Sequence, residues 1–128
     1  MRRTLEESKA FFARDRFAAL TEIEILEVDD FYAKCRMKIQ EKHLNGDNHV
    51  MGGAIFTLAD YCYAVASDSV AVSLSSEINY LSSSKGTELI AEARMLKDGR
   101  STVFYEVRIT DDLGKNIAFV TMTGFKIK

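Results

Sequence analysis

From Phe31 to Gln40 the chain alternates without a break: Phe31, Ala33, Cys35, Met37 and Ile39 fall on one side, and Tyr32, Lys34, Arg36, Lys38 and Gln40 on the other. A period of two marks a β-strand with one face on a core. Residues 21–28 are also strand-like, and Asp29-Asp30 between the two segments reads as a hairpin turn. Upstream, Leu5, Phe11, Phe12, Phe17 and Leu20 recur at roughly helical intervals, which predicts an amphipathic helix over residues 5–20 that covers one end of the core. The second half of the chain reads as four strands, over residues 70–81, 88–97, 102–110 and 116–128. Asp98-Gly99 and Asp112-Leu113-Gly114 are turn signals that pair the last three as antiparallel neighbours.

Between these halves lies a helix predicted over residues 54–66. Ile55, Phe56, Leu58, Ala59, Tyr61, Tyr63 and Val65 leave Thr57 and Asp60 as its polar exceptions. A helix that is apolar on all sides is one that is surrounded. One sheet covers only part of such a helix, so the pattern predicts a strongly curved antiparallel sheet wrapped around it, with a second copy of the chain completing the cover. The expected class is α+β in the order β-β-α-β-β-β-β, the hot-dog arrangement.

Composition narrows the picture. At 128 residues the chain has the size of one domain, expected to span residues 1–128, with no proline and nothing that marks a linker. Hydrophobic residues make up 47% and charged residues 28%, as in ordinary globular proteins. The net charge of −2 is spread over interspersed acids and bases, so nucleic acid is not an expected partner. Cys35 and Cys62 have neither CxxC nor metal-ligand spacing and are expected to be reduced, buried thiols, with no metal site. Met1-Arg2-Arg3 is followed by Glu6, Glu7 and Lys9 rather than an apolar signal core, and the run 54–66 is too short to cross a bilayer. A cytoplasmic protein without membrane association is the expectation.

Few residues combine reactive chemistry with suggestive placement. Asp60, a carboxylate in an apolar helix, is either a general base or nucleophile with a raised pKa, or an acid satisfied by a nearby loop or by solvent. Gly52-Gly53 directly precedes the helix, where free N–H groups favour negative charge; the pair serves either as an oxyanion hole or as a tight turn. Asn45 in the polar loop is suited to orienting a water or a carbonyl, and equally to forming a turn. His43 and His49 lie nearby and read as surface or capping histidines.

The string His43-Leu44-Asn45-Gly46, then Met51-Gly52-Gly53, then Leu58-Ala59-Asp60 resembles the signature of the phenylacetate-degradation-type (PaaI-like) hot-dog thioesterases. Asp15-Arg16-Phe17-Ala18, Asn79-Tyr80-Leu81, Gly86 and Gly99-Arg100 extend the resemblance over most of the chain. It implies hydrolysis of an acyl-CoA to a free acid and CoA, in which Asp60 activates water or attacks directly. The Gly52 amide would hold the carbonyl oxygen, Asn45 would position nucleophile or substrate, and Ser73 would supply a hydroxyl. Ser75 and Ser76 are close to Ser73, and a one-residue slip in a strand reverses facing. The family carries histidine where this chain has Met51, which neither donates a strong hydrogen bond nor carries charge. That departure favours an alternative, a non-catalytic module that binds acyl-CoA.

Hydrolysis of a thioester calls for no cofactor. The acyl group is expected to lie along the helix near Phe56, Tyr61 or Tyr63, with the pantetheine arm in the crevice between subunits; Met51 and Gly53 are further expected substrate contacts, and Lys85, Lys97 and Arg100 are candidate contacts for nucleotide phosphates. The expected assembly is a homodimer or a dimer of dimers, with Asn45 and Gly52 of one copy facing Asp60 of the other.

Overall fold

The computed structural model describes residues 2–128. Its first helix, α1 (Leu5–Phe12), begins with a capping box: the Glu7 N–H donates to Thr4 Oγ1 at 3.2 Å and the Thr4 N–H donates to the Glu7 carboxylate at 2.9 Å. A second helix, α2 (Arg16–Thr21), begins where the Asp15 carboxylate accepts from the Ala18 N–H at 3.2 Å and ends at Glu22, whose φ is +58°. The single helix expected over residues 5–20 is therefore two, because Asp15 caps a new helix where continuous periodicity would place mid-helix. The bend sends both Phe12 and Ala18 into the core and leaves Phe17 and Leu20 exposed.

Six strands follow: β1 (Ile23–Asp29), β2 (Tyr32–Lys38), β3 (Ala71–Tyr80), β4 (Glu88–Asp98), β5 (Thr102–Asp111) and β6 (Asn116–Lys126). They form one sheet in the order β1-β2-β4-β5-β6-β3, antiparallel at every pair. The alternation read from sequence holds within β2, with Ala33, Cys35 and Met37 fully buried, but not at Phe31, which lies before the strand in the turn with a φ of +57° and is exposed. Register shifts at Ile25/Glu27, Ser73/Ser75, Met95/Lys97 and Ile109/Thr110 each bend a strand and increase its twist, which curves the sheet.

The central helix, α3 (Gly52–Ala66), lies in the hollow of that sheet. Ala33, Ala91 and Ala93, all without exposure, pave the floor, and their small side chains let the helix approach closely enough for Cys62 Sγ to donate to the carbonyls of Ala33 (3.4 Å) and Ala91 (3.5 Å). Cys35 and Cys62 are free, buried thiols, as expected. No helix among the described residues is long and apolar enough to cross a membrane.

Tyr63 projects from α3 into the core, edge-on to Tyr105 with ring centroids 5.1 Å apart. Its hydroxyl is buried without a hydrogen-bond partner among the described residues and occupies the space a Cβ at Gly124 would need. An unpaired buried hydroxyl costs stability, whereas the ring fills volume. Tyr63→Phe is accordingly expected to match or exceed the parent by up to about 2 kcal/mol in urea denaturation. Gly124→Ala is expected to lose about 1–3 kcal/mol through overpacking. A clear loss of stability in Tyr63→Phe would contradict this account of the core.

Candidate active site

The start of α3 offers hydrogen-bond donors that the protein leaves free. Met51 occupies the N-cap without a side-chain cap among the described residues, its own carbonyl accepts from Ala54 (2.9 Å) and Ile55 (3.2 Å), and the N–H groups of Gly52 and Gly53 stand in the unsatisfied first turn. That is the positive end of a 15-residue helix. The Tyr80 hydroxyl donates to the Gly52 carbonyl at 3.1 Å, and its ring lies 3.0 Å from where a Cβ at Gly52 would be. Glycine at position 52 lets β3 close on the helix start.

The preceding loop is built by Asn45. Its Oδ1 accepts from the N–H groups of Asp47 (2.9 Å) and His49 (3.1 Å), and its backbone N–H donates to the His49 carbonyl at 2.8 Å. Asn45 therefore forms the turn, with an exposed side chain whose NH2 group makes no hydrogen bond among the described residues. His43 is buried beneath it: the Gln40 N–H donates to Nδ1 at 3.0 Å, so Nε2 carries the proton and donates to the Thr21 carbonyl at 2.9 Å. His43 is structural, while His49 is exposed at a cleft edge.

Within one chain α3 is not surrounded. Ile55, Leu58, Ala59, Cys62, Val65 and Ala66 are buried, but Gly53, Thr57, Asp60 and Ala64, spaced four, three and four residues apart, form a stripe that is partly or wholly exposed. Half-buried Phe56 borders it. Asp60 is thus an exposed residue of the single chain rather than a buried one. Loss of hydration among its neighbours, and secondarily the Asp15 carboxylate, raise its pKa above the ordinary aspartate value. Along the axis Asp60 lies about 12 Å from Gly52.

The register of β3 decides which serines face the helix. Directly opposed residues of an antiparallel pair share a face. Tyr80, Ile78, Ser76 and Ser73 oppose the buried Ala118, Val120, Met122 and Gly124, while Ser75 opposes Thr123 on the other face. The bulge at Ser73/Ser75 puts Ser73 and Ser76 on one face despite their odd spacing. Tyr80 is fixed at Gly52; Ser76 lies about 13 Å back along the strand and Ser73 further back, both exposed in the single chain.

Two clefts meet at the helix start. One, of about 410 Å³, is walled by His49, Gly52, Ile55, Tyr80 and Ser82 to Ser84; the other, of about 540 Å³, by Phe17, Leu20, Met51, Gly53, Ala54 and Thr57. Tyr61 lines neither: it meets Phe12 edge-on at 6.1 Å in a third cleft beneath α1, α2 and β1. Lys85 follows the serine loop of the first cleft, but Arg100 and Lys97 lie near the β4–β5 hairpin, at the opposite end of the sheet in the same chain.

The serine loop is held by acids that sequence reading passed over. Burial pushes the pKa of Asp111 up, but the N–H groups of Lys115, Lys85 and Leu113 and the Ser84 hydroxyl outweigh it and hold the carboxyl below its usual range. Asp112 accepts from the N–H and hydroxyl of Thr87 in the same way. Ser76, Tyr80 and Asp111 are the residues that sequence reading did not single out as site components.

Residues 47–118, more than half of the chain, match the thioesterase superfamily. The chain belongs to that family. Its structure aligns with that of Escherichia coli PaaI at a TM-score of 0.89 and 27% identity, covering 96% of this chain and 92% of that one, so the fold is the hot-dog fold. By sequence that acyl-coenzyme A thioesterase is 29% identical over 117 residues, 88% of this thioesterase-family chain and 84% of PaaI. A relative from Archaeoglobus fulgidus is 32% identical over 120 residues, 91% and 78% of the two chains. A Streptococcus pneumoniae thioesterase protein whose structure holds coenzyme A aligns at a TM-score of 0.83 and 30% identity, covering 92% and 95%.

The raised pKa of Asp60 has a consequence for stability. A carboxyl that binds its proton more tightly in the folded state penalises folding once it must ionise, so the penalty is present above the folded pKa and absent below the unfolded one. Asp60→Asn is therefore expected to melt at a higher temperature than the parent at pH 7, with the difference vanishing as the pH falls below about 4. Thermal melts across that range check the sign, and a variant less stable at neutral pH contradicts it.

Proposed function

We propose that this protein is an acyl-CoA thioesterase whose active site is completed by a second copy of the chain, the whole chain acting as one hot-dog domain. One observation carries the reading: the acid and the oxyanion donors lie on the same helix but about 12 Å apart, on a stripe that the chain itself leaves open. A thioester carbonyl and an attacking water span only about 3 Å, so Gly52 and Asp60 of one chain do not meet on one substrate. Two α3 helices packed antiparallel about a two-fold axis would bring Asp60 of one copy to the helix start of the other and create two equivalent sites.

In such a site the carbonyl oxygen accepts from the Gly52 N–H, reinforced by the helix dipole. Asp60 takes a proton from water as its oxygen attacks the carbonyl carbon. The tetrahedral intermediate collapses with cleavage of the C–S bond, and the proton passes to the departing CoA sulfur. Direct attack by the Asp60 carboxylate, giving an anhydride that water then cleaves, uses the same geometry. Asn45 offers its NH2 to the substrate while its oxygen holds the loop.

Ser76 rather than Ser73 is assigned to assist the water, because its about 13 Å of strand from Tyr80 matches the about 12 Å of helix from Gly52 to Asp60. The streptococcal protein supports this choice: it has been solved with an aspartate and with a threonine replaced by alanine, sixteen positions apart, and sixteen positions after Asp60 stands Ser76. Acyl-CoA binding without hydrolysis is the second reading, favoured by Met51, which is 56% exposed and brings no polar group to the carbonyl.

Release of free thiol from a panel of acyl-CoAs separates the two. The parent should hydrolyse at least one member, Asp60→Asn should lower kcat by about 100-fold or more, and Ser76→Ala should cost more than Ser73→Ala. The acid limb of the pH profile should follow the deprotonation of Asp60, displaced upward from an ordinary aspartate. Binding of acyl-CoA with no thiol released, or near-parental turnover in Asp60→Asn, contradicts the proposal.

A further inference from the structure

We infer that the third cleft, enclosed by α1, α2, the edge strand β1 and Tyr61 of α3, is a second ligand site, and that it takes an uncharged apolar molecule carrying a single hydroxyl. The inference goes beyond the thioesterase reading and does not depend on it. Asp60 and Tyr61 are successive residues of a helix and point about 100° apart, so a molecule held at Tyr61 lies on a different side of α3 from the stripe that bears the acid.

The cleft exists because the chain begins a new helix at Asp15. The two short helices and β1 leave between them a volume of about 530 Å³, in the range of small-molecule sites. Phe12, Ile23, Ile25 and Leu26 give it hydrocarbon walls. Ala13 and Ala19, which also line it, are exposed and contribute only methyl groups, where longer side chains would fill the space.

One polar group is aimed into this lining. Tyr61 is only 7% exposed, and its hydroxyl makes no hydrogen bond among the described residues. Unlike the Tyr63 hydroxyl, it is not sealed within the core. The edge-on contact with Phe12 at 6.1 Å braces the ring. Burial, and after it Cys35 and Asp15, push the Tyr61 pKa upward, so the hydroxyl keeps its proton and both donates and accepts.

The charges at the rim are already paired outside the cleft. Glu24 accepts from Arg36 at 2.7 Å, and Lys9 stands 3.6 Å from Glu6 in an exposed pair. A carboxylate or ammonium entering the cleft would shed hydration with no unpaired counter-charge to meet it, and a molecule with several polar groups would leave all but one without a partner. A pure hydrocarbon would cover the Tyr61 hydroxyl and leave it unpaired in turn. An apolar body with one hydroxyl satisfies both the walls and the tyrosine.

Titration of the full chain with para-ethylphenol and, separately, with ethylbenzene, followed in two-dimensional amide NMR spectra, tests this. Saturable shifts should centre on Phe12, Ala13, Ala19, Ile23 and Leu26, and para-ethylphenol should bind at least about threefold more tightly than ethylbenzene. Tyr61→Phe should erase that difference. Ala19→Phe, which fills the cleft from an exposed position, should abolish binding of both, and Ala13→Leu makes the same test if Ala19→Phe does not fold. Absence of saturable shifts at the cleft, or a preference for para-ethylphenol that survives in folded Tyr61→Phe, overturns the inference. Displacement of para-ethylphenol by an acyl-CoA overturns it too, because the cleft would then belong to the substrate. None of these readouts uses thiol release, so failure of the thioesterase reading is distinguished from failure of this one.

Discussion

The packing of α3 into a trough of small side chains is the constraint on which the rest of the structure depends. Ala33, Ala91 and Ala93 present only methyl groups at the centre of the sheet, so the helix sinks close enough for Cys62 to reach two strand carbonyls. A sheet can enclose a helix on one side only. The packing that buries Leu58, Cys62 and Val65 therefore turns Gly53, Thr57 and Asp60 outward. Core and candidate site are two faces of one helix, and the acid is exposed for the same reason that the core is tight.

Longer-range contacts set the heights at which functional groups stand. Tyr80 binds the Gly52 carbonyl and fixes the end of β3 against the helix start, and the bulge at Ser73/Ser75 puts Ser73 and Ser76 on the same face of the strand as Tyr80. Beyond Tyr80 the chain is pinned again, by Asp111 and Asp112, whose carboxylates collect N–H groups from the serine loop and its flanks. The serine-loop cleft and the groove beside α2 thus flank the helix start, with the free amide of Gly52 between them.

Much of this was legible in the sequence because it is local. The alternation through β2, the turn signals between β4, β5 and β6 and the apolar run of α3 report periodicities that the structure reproduces. Asp60 and Gly52 were visible as chemistry out of place in their surroundings. Other features were hidden for physical reasons. Asp15 breaks the first helix in two, yet the apolar spacing runs through it unbroken. The bulge in β3 reverses the facing of serines beyond it, so counting from Ser73 does not find Ser76. Apolar residues all round α3 suggested a buried acid, but periodicity counts apolar positions and does not say which chain covers them. Lys85 and Arg100 flank β4, which carries them to opposite ends of the sheet. Tyr80 is 28 residues from its partner, beyond the reach of any pattern in one segment.

The central claim is that two chains share each site, and subunit mixing tests it most directly. Asp60→Ala removes the acid, and Asn45→Asp keeps the oxygen that holds the loop while removing the NH2 group that would face the substrate. Each variant alone should be inactive. Combined under conditions that exchange subunits, about half of the dimers become mixed, and in each of those one site regains both residues while the other lacks both, so about a quarter of the parental activity should return. Verified exchange with no recovery would place Asn45 and Asp60 in the same chain's site and contradict the account.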